Sequence, residues 1–218
     1  MKFQLVAPLL ALLMASGAEA GLINGGFEIP VQPGTTVGIY DASLVTGWST
    51  TATDNKIEIW SDGFNGVTSY QGRQHAELNA NQVSTLYQNA TGIAAGSSVG
   101  YQFAHRGRAG VDTMQFTLTD LGTDGLFGTG DDTQLFTQLA IDGNTAWGFY
   151  SGTGITALGN TVRFSFISVS AAGGNQSVGN FLDAADFGVG VGAPVPEPGA
   201  LALVGLALAA LGLSRRRS

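Results

Sequence analysis

An all-β fold, a two-sheet antiparallel sandwich of the jelly-roll kind, is predicted by three observations. Short alternating apolar runs recur along the chain, glycine-rich punctuation separates them, and no helical period is sustained between the two ends. Period-two alternation sends successive side chains to opposite faces of a sheet, and β-branched and aromatic residues suit that surface. The runs, in order, are Lys56-Ile57-Glu58-Ile59-Trp60, Ser98 to Phe103, Thr113 to Leu118, Ala146 to Tyr150, Thr161 to Val169 and Asp183 to Val191. Thr161 to Val169 is the clearest, with Val162, Phe164, Phe166 and Ser168 on one face and Arg163, Ser165, Ile167 and Val169 on the other. Apolar residues on both faces read as a central strand. Glycine, Asn, Asp, Ser and Thr interrupt the runs at about the eight-to-twelve-residue spacing of sandwiches and barrels. Ala80 to Tyr87 is the one stretch between the ends that admits a helical turn.

The two ends read as addresses rather than as parts of the fold. Lys2 supplies a charged start, Leu5 to Met14 an apolar core broken only by Pro8, and Ala18-Glu19-Ala20 a small-x-small cleavage pattern. Residues 1–20 are therefore expected to be a signal peptide removed by signal peptidase, with Gly21 the first mature residue. At the other end, Val195-Pro196-Glu197-Pro198 precedes an apolar run from Gly199 to Leu213, followed by Ser214, Arg215, Arg216 and Arg217. As a helix that run would reach only about 22 Å, short of the roughly 30 Å of a bilayer core. The three arginines would hold the terminus on the cytoplasmic side.

This tail, residues 194–218, resembles the PEP-CTERM sorting signals of Gram-negative bacteria. The resemblance implies transient anchoring in the inner membrane, then recognition by the membrane protease exosortase, which removes the tail and delivers the protein to the cell surface or the extracellular space. It also implies a host that makes exopolysaccharide, to whose matrix the exported protein would contribute.

Residues 21–193 are then one domain, long enough to bury a sizeable core. Between the ends remain five basic residues and fourteen acidic ones, a net charge of −9. Such a surface repels nucleic acid and anionic lipid, so neither is expected as a partner. The chain has no cysteine, so the exported domain must hold together without disulfides.

Within the domain, a second set of pieces runs Leu22-Ile23-Asn24-Gly25-Gly26-Phe27-Glu28-Ile29-Pro30, Gly47-Trp48, Gln74-His75-Ala76-Glu77-Leu78-Asn79, Leu86-Tyr87-Gln88 and Gly179-Asn180-Phe181-Leu182-Asp183. In that order they resemble the galactose-binding-like jelly rolls of carbohydrate-binding modules and cell-wall proteins. The resemblance implies a structural Ca²⁺ where the first and last strands meet. Glu28 matches the first ligand and Asp183 or Asp186 the second, although Asp183-Ala184-Ala185-Asp186 departs from the paired acids that usually close the pattern. The alternative is that all three are solvated strand-end acids.

Two further constellations carry possible chemistry. Between Asp120 and Asp132, the carboxylates of Asp120, Asp124, Asp131 and Asp132 are spaced by glycines that permit wrapping around a cation; the alternative is a plain solvated loop. His105-Arg106-Gly107-Arg108, at the end of an apolar strand, offers donors for sugar hydroxyls or carboxylates, with Trp60, Tyr70 and Trp147 as aromatics able to stack on a pyranose. The competing reading pairs Arg106 and Arg108 with Asp112 or Glu77 to pin two strands. Catalysis has little support: His75 and His105 are the sole histidines, and neither lies in a nucleophile elbow or a zinc spacing. His75, Glu77 and Asn79 alternate as the polar face of a solvated sheet. The expected protein is a noncatalytic, exported surface or matrix protein; the alternatives are a carbohydrate-binding module with its own glycan site and, third, a glycoside hydrolase.

Overall fold

The computed structural model describes residues 21–192. The signal peptide expected at residues 1–20 and the sorting tail, with Val195, Pro196, Glu197, Pro198, Arg215, Arg216 and Arg217, lie outside the described residues.

The described chain forms β1 (Val37–Asp41), β2 (Ser49–Thr50), β3 (Lys56–Ser61), β4 (Gln74–Glu77), β5 (Thr85–Thr91), β6 (Ser98–Arg106), β7 (Asp112–Asp120), β8 (Thr133–Asp142), β9 (Gly148–Thr156), β10 (Thr161–Ser170) and β11 (Phe181–Val189). Two antiparallel sheets face each other, ordered β1-β3-β4-β11-β6-β9 and β2-β5-β10-β7-β8. From β4 onward the chain passes repeatedly between sheets, the wrapping that makes a jelly roll. The fold class predicted from the sequence is the one observed.

The core forms where the inward faces meet. Val162, Phe164 and Phe166 of β10 are buried, and β10 lies between β5 and β7 as a central strand should. They pack with Ile57 and Ile59 of β3, Phe103 of β6, Phe116 of β7 and Phe187 of β11 in one apolar cluster. Each such side chain contributes about 1.5–3 kcal/mol on burial, so the core holds the domain together without disulfides.

The segment from Leu22 to Pro30 plugs one part of this core. Phe27 stacks on Trp48 with ring centroids 4.7 Å apart, and the Trp48 indole N–H donates to the Asn24 carbonyl at 2.9 Å. Gly47 makes the approach possible: its φ is +84°, and a Cβ there would stand 2.9 Å from the Ile23 Cβ.

Ala80 to Tyr87 does not form a helical turn. The chain bends after Ala80 and enters β5 at Thr85, because Leu86 is drawn into the core and pairs across to Phe166. Nor is the His75–Glu77 face solvated. All four residues of β4 are buried, since loops from Phe64 to Tyr70, Asn144 to Trp147 and Ala171 to Gly179 lie over the outer side of the six-stranded sheet.

Candidate functional site

Alternation builds the candidate site. While Ile57, Ile59, Ala76, Leu182 and Phe103 point into the core, Glu58 and Trp60 of β3, His75 and Glu77 of β4, Phe181 of β11, Arg106 of β6 and Phe149 of β9 take the opposite side of the six-stranded sheet. Register sets neighbours across the strands: Trp60 faces His75, Glu58 faces Glu77, and Phe181 faces both Glu77 and Arg106.

One end of this face is closed and charged. Arg108 Nη1 donates to both Glu77 oxygens at 2.9 and 2.8 Å, and the Gly179 N–H donates to the same carboxylate at 2.7 Å. The Arg108 guanidinium lies over the Trp60 ring, 4.7 Å from its centroid, while the Trp60 indole N–H donates to Glu58 at 2.7 Å. Two buried carboxylates thus share one arginine. Burial, with the Glu58 charge adding to it, pushes Glu77 up to about 8 against the pull of Gly179 and Arg108. Burial likewise raises Glu58.

His75 stands beside them, fully buried, with Nδ1 3.0 Å from the Ser69 hydroxyl and its ring against Phe181 and Trp147 at 4.9 and 5.4 Å. Burial, followed by the Arg106 charge, lowers it to about 3, so the ring is neutral at physiological pH. A buried neutral imidazole and a buried Glu77 do not reach a substrate as acid and base.

The other end of the face is open and aromatic. Tyr70 and Phe149 stack with centroids 5.7 Å apart and planes 9° from parallel, and they are 44% and 49% exposed. Trp147 meets Tyr70 edge-on at 6.3 Å, held by its indole N–H donating to the Thr68 carbonyl at 2.8 Å. Arg106 secures the approach to Trp147, its Nε donating to the Asn144 carbonyl at 3.2 Å.

The sequence-predicted ligand residues thus separate. Trp147 borders the aromatic platform, and Arg106 braces the loop that carries it. Trp60, only 2% exposed, cannot stack on a sugar because Phe64, Phe181 and Arg108 cover its ring. His105 is a core-edge residue, not a surface donor: Nδ1 faces Asp142 at 2.7 Å and Nε2 faces the Asn180 Oδ1 at 2.9 Å. Arg108 takes the strand-pinning role through Glu77, and its backbone N–H donates to Asp112 at 2.8 Å. Asp112, fully buried, also accepts from the N–H groups of Ala172 and Asn180, tying three segments together. Phe149 is a site residue that the sequence analysis does not include, and its signal is the two-residue spacing from Trp147, which lies just before β9.

The acidic candidates divide in a similar way. A bulge between Asp183 and Asp186, with Ala184 at φ +48°, re-aims β11. Asp183, fully buried, accepts from the Gln71 N–H at 2.9 Å and from the Ala184 N–H at 2.6 Å. Burial, with the Glu28 charge adding to it, pushes it up to about 7 against the pull of the Gln71 and Ala184 N–H groups. Glu28 itself accepts from the N–H groups of Arg73 and Gln74 at 2.7 and 3.2 Å. The structure therefore brings Glu28 and Asp183 to one place beside Gly26. Asp186 lies beyond the bulge, opposite Gln102.

In the loop from β7 to β8, the carboxylates turn to protein donors. Asp120 accepts from Gly122, Leu158 and Gly159, Asp124 from Leu126, Asp131 from Thr123, and Asp132 from Gly128. Hydrogen bonds from Thr129 and Thr123 hold Asp131 down to about 2. Among the described residues, no three acidic or histidine side chains gather into a group that could hold a metal ion.

No curated protein matches the chain. Solved structures similar to it include the CBM22-1 xylan-binding domain from Paenibacillus barcinonensis Xyn10C, at 12% identity and a TM-score of 0.48 over 71% of this chain and 92% of that one. They also include the C-terminal family 22 carbohydrate binding module of Clostridium thermocellum Xyn10B, at 12% identity and TM-score 0.47 over 70% and 90%. A CBM4 module matches at 12% identity and TM-score 0.43 over 77% and 98%. Residues 194–217 match the model of the PEP-CTERM protein-sorting motif. The chain therefore carries, behind its β-sandwich, a sorting motif that marks it for exosortase-dependent export to the cell surface.

Proposed function

We propose that this is an exported, noncatalytic carbohydrate-binding protein that attaches to extracellular polysaccharide through the outer face of its six-stranded sheet. The observation that carries the reading is the exposed, parallel Tyr70–Phe149 pair flanked by Trp147. Exposed, parallel aromatic rings offer the apolar faces on which pyranose rings stack; Phe149 is fixed by β9, and Tyr70 is held against it from the loop that crosses the sheet. The sorting motif supports the same reading, because it delivers the domain to where polysaccharide is found. We place the protein in a Gram-negative envelope, held briefly at the inner membrane by its tail and then released into an exopolysaccharide matrix.

A Ca²⁺ ion between Glu28 and Asp183 belongs to the proposal. Two carboxylates are held close at the bulge, and burial together with the Glu28 charge disfavours ionisation of Asp183. A hard cation with oxygen ligands would relieve that cost, with backbone carbonyls completing its shell. Its part would be to fix the segment from Tyr70 to Gln74, which carries one side of the platform.

The test is retention of the purified sandwich by a panel of soluble and insoluble polysaccharides, including the exopolysaccharide of the native host. Retention by at least one polysaccharide is expected. Failure to bind any of them, or release of shortened chains during incubation, would contradict the reading.

A further inference from the structure

A separate pocket opens away from the aromatic platform, where the end of β10 meets the turn after β4. It has a volume of about 260 Å³, and its wall includes Asn79, Val83, Ser168, Ser170, Asn175 and Gln176. Asn79 is 1% exposed, yet neither its amide nitrogen nor its oxygen has a hydrogen-bond partner. An unmade pair of hydrogen bonds on a buried amide costs about 1–3 kcal/mol per group, so a native fold seldom leaves one without purpose.

The backbone immediately before Asn79 is held at both of its polar groups. The Leu78 N–H donates to the Asn180 carbonyl at 3.0 Å, and the Leu78 carbonyl accepts from the Ser84 hydroxyl at 2.5 Å. These bonds fix the Asn79 backbone beside the pocket, whose wall the residue lines. Ser168 is also buried; its hydroxyl oxygen accepts from the Asn180 amide at 3.0 Å, which leaves its O–H as a donor. None of the residues lining the pocket is charged.

We infer that this pocket is a second binding site, for a single neutral pyranose unit whose hydroxyls pair with the Asn79 amide and the Ser168 hydroxyl. The class of ligand follows from three features. An amide supplies donor and acceptor together, matching a sugar hydroxyl, which is both. A lining without charge gives no counterion for an acidic sugar or a phosphate. The volume lies just below the roughly 300–1,000 Å³ of sites for drug-sized ligands, so it takes one ring rather than a chain.

Nuclear magnetic resonance tests this on the exported sandwich, residues 21–193. Methyl glycosides of glucose, galactose and mannose, with glycerol as a smaller polyol, are titrated while the Asn79 side-chain amide signals are followed. At least one methyl hexoside is expected to shift them, with a Kd on the order of 1 mM, the weak range typical of few contacts. Val83→Trp, placed at a half-exposed position that the fold does not depend on, should fill the mouth and weaken binding at least about tenfold, roughly 1.4 kcal/mol. Tyr70→Ala with Phe149→Ala should leave the Asn79 shift intact. No shift with any methyl hexoside, a shift with glycerol alone, undiminished binding by Val83→Trp, or loss of the shift in the platform variant would each overturn the second site. The last of these would leave the platform reading standing.

Discussion

At the residue scale the most consequential group is Arg108. Its guanidinium is the cation shared by Glu58 and Glu77, and its ring contact with Trp60 fixes the closed end of the face. Removing one partner from a buried pair strands the other, at about 3–5 kcal/mol. Arg108→Ala is therefore expected to cost about 3 kcal/mol by urea unfolding at pH 9. The loss should shrink at pH 6, where Glu77, raised to about 8, is already protonated and needs no counterion. An equal loss at both pH values would show that the arginine acts through packing on Trp60 alone. The sequence made the pairing with Glu77 readable as an alternative to ligand binding, because both residues fall at strand ends. What it could not convey was burial: nothing local distinguishes a polar strand such as Gln74-His75-Ala76-Glu77 under a roof of loops from one facing water.

At the scale of elements, β11 and its bulge matter most. The sequence marked the acids there but not the bulge, and only the bulge decides which acid meets Glu28. Without a cation, Asp183 and Glu77 both titrate higher in the folded chain than in the unfolded one. The stability that depends on them is complete below about pH 4; it falls away as pH rises through about 7 for Asp183 and about 8 for Glu77. The chelated protein should accordingly melt at a higher temperature at pH 5 than at pH 8.5. Calcium should raise the melting temperature at pH 8.5, by the equivalent of about 2.7 kcal/mol at a hundredfold excess over its Kd. Asp183→Asn should abolish the calcium effect, and an unchanged melt with and without chelator would remove the cation from the account. The long alternating strands β3, β6, β7, β9 and β10 were legible because packing on two faces imposes a period. By contrast β1 and β2 are short edge strands whose pairing partners, β3 and β5, are set by the fold rather than by local pattern.

At the scale of the whole molecule, function divides between the address and the sandwich. The C-terminal sorting motif was legible, since order, position and composition carry it, and residues 194–217 match it. If exosortase removes it, mass spectrometry of the mature protein from its native host will find Gly21 at the start and no Arg215–Arg217 at the end. An intact arginine end would make the tail a lasting anchor. The sandwich was legible as a fold but only partly as a site. Trp147 was recognised, whereas Tyr70 and Phe149 come from separate segments, 79 positions apart in the chain, that only the roofing of the sheet brings together. Aromatic exposure, not aromatic content, separates the platform from the buried Trp60. Whether this platform holds polysaccharide is decided by calorimetric titration of the best-retained oligosaccharide into wild type and into the double variant Tyr70→Ala, Phe149→Ala. Both side chains are about half exposed, so the variant should stay within about 1 kcal/mol of wild-type stability. Its affinity should nevertheless fall at least about a hundredfold, or 2.7 kcal/mol. Undiminished affinity in a folded double variant would mean that polysaccharide binds elsewhere on the protein.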